Sequence, residues 1–344
     1  MFKKIALVIP SFLVIFFLFQ GVSNADKSGI IKISKFGNTS QLVGAEIIGQ
    51  LLEMIGEKIE YIYKCNSEAF KAKATSTAIE SIRKLDVELT DVKQLDGLKG
   101  AGKSIKTRFK EFQDTGTIKF VEDELTKPFY SFTEIYGVGP KKAKELSDKF
   151  TSIEELKKSP QDLNAKQTIG LKYYEDIKQR IPRNVIETYD SKFKDIFKNF
   201  LDLKYEIVGS YRRGASDSGD IDVIFTSDNL QIFDKIIETL KKENIIKETL
   251  SKGKHKSMTI CKINEESTGR RVDFMITSKE DYPFAILYFT GNKDFNVKMR
   301  EHAKKIGYTL NEYKFKDVEK IFSSERDIFE FLKLSYVEPS KRNA

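Results

Sequence analysis

Asp220 and Asp222 flank a single isoleucine in the run Gly219-Asp220-Ile221-Asp222-Val223-Ile224-Phe225. The run is short and rich in β-branched residues, which suits a strand, and successive strand side chains alternate faces, so both carboxylates point the same way. Two carboxylates so placed repel unless a cation lies between them, and oxygen donors of this kind suit Mg²⁺ that also binds phosphate. A third carboxylate, Asp273, sits in a second strand-like segment, Arg271-Val272-Asp273-Phe274. Three aspartates on adjacent strands can hold two Mg²⁺ ions, one activating an attacking oxygen and one steadying a leaving phosphate. Upstream, Gly209-Ser210 offers a tight turn whose backbone N–H groups and hydroxyl can hold phosphate oxygens, with Arg213 as counter-charge. Asp-x-Asp alone would equally describe the solvated face of an edge strand. The Gly-Ser turn before it and Asp273 after it favour the metal.

Two further patterns carry chemistry. Leu98-Lys99-Gly100-Ala101-Gly102-Lys103 and Ile135-Tyr136-Gly137-Val138-Gly139-Pro140-Lys141 are both apolar-x-Gly-x-Gly turns leading into a basic helix start. Glycine removes the side chain, so backbone N–H groups of such a turn can approach a nucleic-acid phosphate, as in helix-hairpin-helix elements. Residues 93–116 carry Lys93, Lys99, Lys103, Lys106, Arg108 and Lys110 against three acids, which favours phosphate over a merely solvated face. Tyr288-Phe289-Thr290-Gly291-Asn292, followed by Asn296, Met299 and Arg300, places aromatics beside a glycine turn that could wall a base and sugar. Taken alone, those aromatics would equally be core residues.

The elements that must position these residues change in texture along the chain. From Ala45 to Lys84 apolar residues recur at helical spacing, and two amphipathic helices account for them. Helical character continues through residues 85–127, Pro160 and Pro182 mark breaks, and 184–201 reads as a further helix. Short strand-like runs then follow at Tyr205–Ser210, Ile221–Thr226, Met258–Ile263 and Arg271–Thr277, with one helix at Gln231–Lys242. A smaller α+β tail begins near residue 280. The predicted class is multidomain α+β, an all-helical first half followed by a mixed α/β unit.

Composition bounds the possibilities. A chain of 344 residues with 40% hydrophobic and 12% aromatic content can build several cores and is not wholly disordered. The net charge of +8, from 59 Lys+Arg and 51 Asp+Glu, suits partners that carry negative charge. Two distant cysteines, Cys65 and Cys261, exclude a disulfide framework, and two histidines argue against a histidine-based metal site. Residues 1–25 open with Lys3 and Lys4, run apolar from Ile5 to Phe19 and end in Ser23-Asn24-Ala25, the pattern of a signal peptide. A short membrane anchor is the alternative, though Pro10 and Ser11 interrupt the apolar run. Residues 26–43 read as a linker.

From about residue 45 onward the chain resembles the X family of DNA polymerases, and within it the beta-type members. The resemblance rests on Gly209-Ser210-Tyr211-Arg212-Arg213-Gly214, Ser218-Gly219-Asp220-Ile221-Asp222, Leu250-Ser251-Lys252-Gly253 and Arg270-Arg271-Val272-Asp273. It extends through Tyr288-Phe289-Thr290-Gly291, Phe295-Asn296, Met299-Arg300-Glu301-His302-Ala303, Asn311-Glu312-Tyr313, Ile169-Gly170-Leu171-Lys172-Tyr173 and Arg180-Ile181-Pro182-Arg183, all in order. It implies a helical DNA-binding, lyase-like domain (44–125), helical fingers with the second hairpin (126–182), a nucleotidyltransferase palm (183–280) and a small α+β thumb (281–344). It implies that Asp220, Asp222 and Asp273 bind two Mg²⁺, with Asp273 taking the proton of a primer 3′-hydroxyl. Arg180, Gly209, Ser210, Arg213 and Gly219 would then hold the triphosphate of an incoming dNTP. Tyr288, Phe289 and Gly291 would wall its sugar and base, Asn296 would read the minor-groove edge, and Arg300 would meet the template side. The hairpin residues Gly100, Gly102, Lys103, Lys106, Gly137, Gly139 and Lys141, with Arg271, would contact DNA. Carbonyls of Leu98, Ala101, Thr133, Ile135 and Val138 would bind a monovalent cation, Na⁺ or K⁺, at the hairpin turns.

The function so implied is template-directed filling of gapped or nicked double-stranded DNA in base-excision-type repair, by a monomer with no membrane partner for the mature domain. Template-independent terminal transfer and an inactive DNA-binding scaffold are the alternatives. The short loops between palm strands offer nothing to replace a template, and all three carboxylates are present. One departure stands out. Beta-type members that remove a 5′-deoxyribose phosphate use a lysine six residues after the second glycine of the first hairpin turn, and here that count reaches Arg108. A guanidinium stays protonated and cannot serve as an amine nucleophile. Asp96 and Ser104 also replace expected lysines, while Lys64 matches one. The family is nuclear or mitochondrial, whereas the amino terminus suggests a secretory route or the first part of a bipartite organelle address.

Overall fold

The computed structural model describes residues 56–342, apart from 83, 86–88, 90 and 266, together with residues 6–8 and 14–16. The latter form two short strands, β1 (Ala6–Val8) and β2 (Val14–Phe16), paired antiparallel. The rest of the signal-like segment and the linker lie outside the described residues. Among the described residues no helix is long and apolar enough to cross a membrane. The chain forms two compact units, residues 1–167 and 168–344.

The first unit is helical. A helix over residues 56–65 (α1) is followed by α2 (Ala69–Ile82), so the helical periodicity read from Ala45 to Lys84 does yield two helices. The first hairpin turn then leads into α3 (Lys103–Thr115), and α4 (Lys119–Leu125) and α5 (Pro128–Thr133) lead to the second. From that turn run α6 (Pro140–Ser147) and α7 (Ile153–Lys158). Ile59, Ile62 and Tyr63 of α1 bury their apolar faces against Ala72 of α2, Phe112 of α3 and Val121 of α4. Proline at the first position of α5 and α6 is tolerated because its missing N–H would have no partner inside the helix anyway.

The second unit opens with α8 (Ala165–Lys172), which begins just before its boundary, and α9 (Tyr174–Lys178). A two-residue strand β3 (Ile181–Pro182) follows, then the long α10 (Arg183–Phe197). Next come β4 (Lys204–Ile207), the single turn α11 (Gly209–Arg212), β5 (Asp217–Ser218) and β6 (Ile221–Thr226). Helix α12 (Ile232–Lys242) precedes β7 (Ile246–Lys252), β8 (Lys256–Cys261) and β9 (Arg270–Thr277). Five of these strands form one sheet in the order β4-β6-β9-β8-β7, in which only the central β6–β9 pair is parallel.

Side-chain alternation divides the sheet's two faces. Ile221, Val223 and Phe225 of β6, with Val272, Phe274 and Ile276 of β9, pack under α10 and α12. The intervening Ile224 and Met275 face the other way and pack with Ala285 and Ile286 of α13 (Tyr282–Thr290). Asp222 and Asp273 share that second face by parity. The tail is more helical than an α+β unit suggests: α13, α14 (Lys293–Lys305) and α15 (Glu325–Phe331) carry it, with one isolated bridge between Leu310 and Phe315.

Candidate active site

The parallel register sets Asp222 directly beside Asp273. Neighbouring strands lie about 4.8 Å apart, so the two carboxylates emerge next to each other on the same face. Asp220, two residues before Asp222, follows on that face. Asp273 is buried, while Asp220 and Asp222 are half-buried. Burial, reinforced by the charges of Asp220 and Asp273, pushes the Asp222 carboxyl up to about 7. Burial likewise raises Asp273, although the adjacent Lys256 ammonium works against the shift.

Basic side chains from the neighbouring strands answer these carboxylates. Lys256 Nζ lies 3.1 Å from Asp273 Oδ2, and the Arg271 guanidinium pairs with Asp220. Asp273 Oδ1 is buried and has no hydrogen-bond partner. Among the described residues no three His, Cys, Asp or Glu side chains are grouped so that they could hold a metal ion as they stand. Asp220 and Asp273 are each paired instead with a basic side chain, Arg271 and Lys256. The donor set is nevertheless all oxygen, paired across two strands, with one orphaned buried carboxylate oxygen. That chemistry fits hard divalent ions. Arg271, expected at DNA, therefore sits at the carboxylates, while Lys256 was not singled out by sequence. Its register partner is Met275, and it reaches Asp273 diagonally across the ladder, a relation visible only once the register is known.

The Gly209-Ser210 turn closes over Asp222. Gly209 has φ +63°, and a Cβ there would lie 2.6 Å from Asp222 Oδ2, so glycine is required on both counts. The Ser210 hydroxyl hydrogen-bonds that of Ser218 at 2.8 Å, and Arg213 Nη1 donates to the Thr290 carbonyl at 2.6 Å. A cleft of about 810 Å³ is lined by Arg180, Ser210, Arg213, Asp220, Tyr288 and Asn296, and also by Gly209, Gly219, Asp222, Phe289, Gly291 and Arg300. The residues expected at the nucleotide thus share one cavity with Asp220 and Asp222, while Asp273, beside Asp222 in the sheet, is not part of its lining. Asn296 Nδ2 donates to the Tyr288 carbonyl at 2.7 Å, which pins the aromatic pair Tyr288–Phe289. Arg300 stacks 4.9 Å over the Tyr288 ring and pairs with Glu312 at 3.2 Å.

A buried ionic chain supports this wall from behind. Arg212 donates to Thr290 Oγ1 at 2.7 Å and to Glu325 Oε2 at 2.7 Å, and Glu325 Oε1 accepts from Arg342 Nη1 at 2.6 Å. The Arg342 side chain is fully buried among Phe295, Phe329 and Tyr336, and its carbonyl accepts from Asn292 N–H at 3.3 Å.

In the first unit the two hairpin turns have the same backbone shape. Gly100 and Gly137 both have φ +87°, and Gly102 and Gly139 are the extended N-caps of α3 and α6. A Cβ at Gly100 would lie 2.6 Å from the backbone of Ala74 and Ala78 in α2, which fixes glycine there. Lys106 is paired with Asp96 at 2.5 Å, while Gly102, Lys103, Gly139 and Lys141 are exposed. The carbonyls of Leu98 and Ile135 accept the N–H groups of Ala101 and Val138 at 3.1 and 2.9 Å. Arg108 turns inward: its guanidinium lies 4.2 Å from the Phe120 ring centroid and 5.3 Å from that of Tyr63, and Nη1 is buried without a hydrogen-bond partner.

Family comparisons cover most of this architecture. Residues 45–118 match a helix-hairpin-helix domain, 131–178 the fingers domain of DNA polymerase lambda, 180–279 the DNA polymerase beta palm and 285–343 the DNA polymerase beta thumb. DNA polymerase lambda of Arabidopsis thaliana is 28% identical over 89% of this chain and 64% of its own length. DNA nucleotidylexotransferase of Xenopus laevis is 28% identical over 87% of this chain and 68% of its own. DNA polymerase lambda of Rattus norvegicus is 25% identical over 84% and 56% respectively. The chain therefore spans between about half and two thirds of these curated relatives. With helix-hairpin-helix, fingers, palm and thumb matched in succession along residues 45–343, the chain belongs to the X family of DNA polymerases.

Proposed function

We propose that the chain is a template-directed DNA polymerase that adds a dNMP to a primer 3′-hydroxyl in gapped or nicked DNA, in base-excision-type repair. The observation that carries this reading is the β6–β9 register, which sets Asp222 beside Asp273 under the Gly209-Ser210 turn. Asp220, Asp222 and Asp273 would hold two Mg²⁺. When bound, these ions lower the pKa of the attacking oxygen and neutralise charge on the transferring phosphate. Asp273 Oδ1, buried and unpartnered, is suited to receive the primer hydroxyl proton. Ser210, Arg213 and Arg180 would hold the triphosphate against the turn, and Tyr288 and Phe289 would limit the space beside the sugar. The hairpin turns would track the DNA backbone, with a monovalent cation at the carbonyls of Leu98, Ala101, Thr133, Ile135 and Val138.

Terminal transfer is supported by one relative's name alone. Against it, Gly253, Lys254 and His255 are the only residues between β7 and β8, so that hairpin holds no segment to stand in for a template. Loss of the 5′-deoxyribose phosphate lyase is part of the same reading, because Arg108 lacks a free amine and is covered by Tyr63 and Phe120. The deciding experiment is primer extension on a single-nucleotide gap beside an untemplated single strand and an RNA primer. Extension that follows the templating base supports the reading, and tailing of the single strand at a comparable rate overturns it.

A further inference from the structure

Arg180 is held in an unusual way at the edge of the cleft. Strands β3 and β5 form a two-residue antiparallel ladder, Ile181 opposite Ser218 and Pro182 opposite Asp217. Continuing that register sets Arg180 opposite Gly219 and makes Asp217 its diagonal neighbour on the same face. Arg180 Nε donates to Asp217 Oδ1 at 2.8 Å, and Nη2 lies 2.6 Å from the same oxygen while donating to the Asp217 carbonyl at 3.1 Å. Two of the three guanidinium nitrogens are therefore fixed by one residue. The third, Nη1, has no protein partner among the described residues and lies over Gly219, where a Cβ would come within 3.2 Å of it. The intervening residue, Ser218, is buried on the opposite face and bonds the Ser210 hydroxyl of the phosphate turn. One short ladder thus sets both Arg180 and Ser210 around the same cavity.

We propose that Asp217 is a positioning residue for nucleotide binding: it clamps Arg180 so that Nη1 is directed at the phosphates of the incoming dNTP before the nucleotide arrives. The inference rests on the polymerase reading and deepens it. A long arginine loses its rotamer freedom on meeting a ligand unless something has already fixed it, and a planar guanidinium gripped on one edge presents the other edge in a set direction. Gly219 completes the device, since a side chain there would press on Nη1. Asp217 itself touches neither nucleotide nor metal in this scheme.

The test is nucleotide affinity in Asp217→Ala, Asp217→Asn, Arg180→Ala and the double variant Arg180→Ala/Asp217→Ala. Affinity is measured directly on gapped DNA with a dideoxy-terminated primer, alongside KM and kcat on an extendable primer. Asp217→Ala is expected to weaken dNTP binding and raise KM about fivefold, with kcat changed by less than about twofold, because one ordered side chain is released. Asp217→Asn keeps the acceptor and is expected to stay within about twofold of wild type. If Asp217 acts through Arg180, the double variant matches Arg180→Ala alone. Additive losses would overturn the proposal, as would tighter binding in Asp217→Ala, which would make Asp217 a mask rather than a clamp. Unchanged binding in Asp217→Ala would overturn it too. Failure of the wild type to extend any primer would instead strike the polymerase reading, and the direct binding arm would still compare the variants.

Discussion

In the proposed reaction Asp273 is the proton acceptor, a role suited to its burial, its place beside Asp222 and its unpartnered oxygen. Asp273→Ala is expected to abolish nucleotide addition while leaving DNA affinity within about twofold, since no phosphate contact is removed. A variant that still extends primers at an appreciable rate would refute the assignment. Asp222 gives a pH signature. Its carboxyl is raised to about 7, so folding favours its protonated form. The stability this contributes is complete below the ordinary carboxylate range and is lost as pH rises through about 7. Metal-free protein is thus expected to melt at lower temperature at about pH 8 than at about pH 5, with Mg²⁺ restoring stability most at the higher pH and releasing protons as it binds. Thermal melts with and without Mg²⁺ across that range check this, and metal-free stability that rises with pH would contradict it. At Arg108 the measurement is borohydride trapping on an incised abasic site: no adduct from wild type, and a gain on Arg108→Lys. Efficient trapping by the wild type would end that idea. The three aspartates were legible because alternation on a strand is a local rule. Lys256 and Asp217 were not, because each meets its partner diagonally across a ladder whose register no local pattern states.

At the scale of elements, the hairpin turns were legible for the same reason. Glycine spacing followed by lysines is local, and the structure gives both turns one backbone conformation. Their charges are less free than the sequence suggested, since Asp96 holds Lys106. Charge reversal at Lys103 and Lys106 is expected to weaken gapped-DNA binding and reduce the slope of log affinity against log salt by about two, one for each lysine that displaces counterions. Asp96→Asn, which releases Lys106, is expected to move affinity the other way. Filter binding across a salt series decides it, and an unchanged slope would remove the first hairpin from the DNA interface. Within the five-stranded sheet, the strand that escaped sequence reading is β7. Two register shifts, between Ile246 and Glu248 and between Thr249 and Ser251, break its alternation, so the buried Ile246 and Leu250 carry no clean period of two.

Over the whole second unit, apolar clusters join the sheet and its helices, and an ionic network ties the turn after β4 to α13 and α15. Glu325 stands at the centre, between Arg212 and the fully buried Arg342. Glu325→Ala leaves the fully buried Arg342 without its carboxylate, while Arg212 keeps Glu206, and is expected to lower unfolding free energy by about 3 kcal/mol. Chemical denaturation measures this, and a loss below about 1 kcal/mol would mean the network is solvated in solution. The fold class was legible from the change in texture near residue 200, but this network was not. Its members come from distant segments, 206–212, 290, 325 and 342, and nothing in the local sequence marks one glutamate among many as their meeting point.

The burial of Arg342 has a practical consequence. Its side chain anchors α15 and its carbonyl holds the N–H of Asn292, at the turn that follows Tyr288 and Phe289. In the proposed polymerase, Arg342→Ala would therefore act as a remote lesion of the wall that Tyr288 and Phe289 form. That variant is expected to retain its carboxylates and its hairpins, yet to bind the proposed dNTP less well and to discriminate less between deoxyribose and ribose.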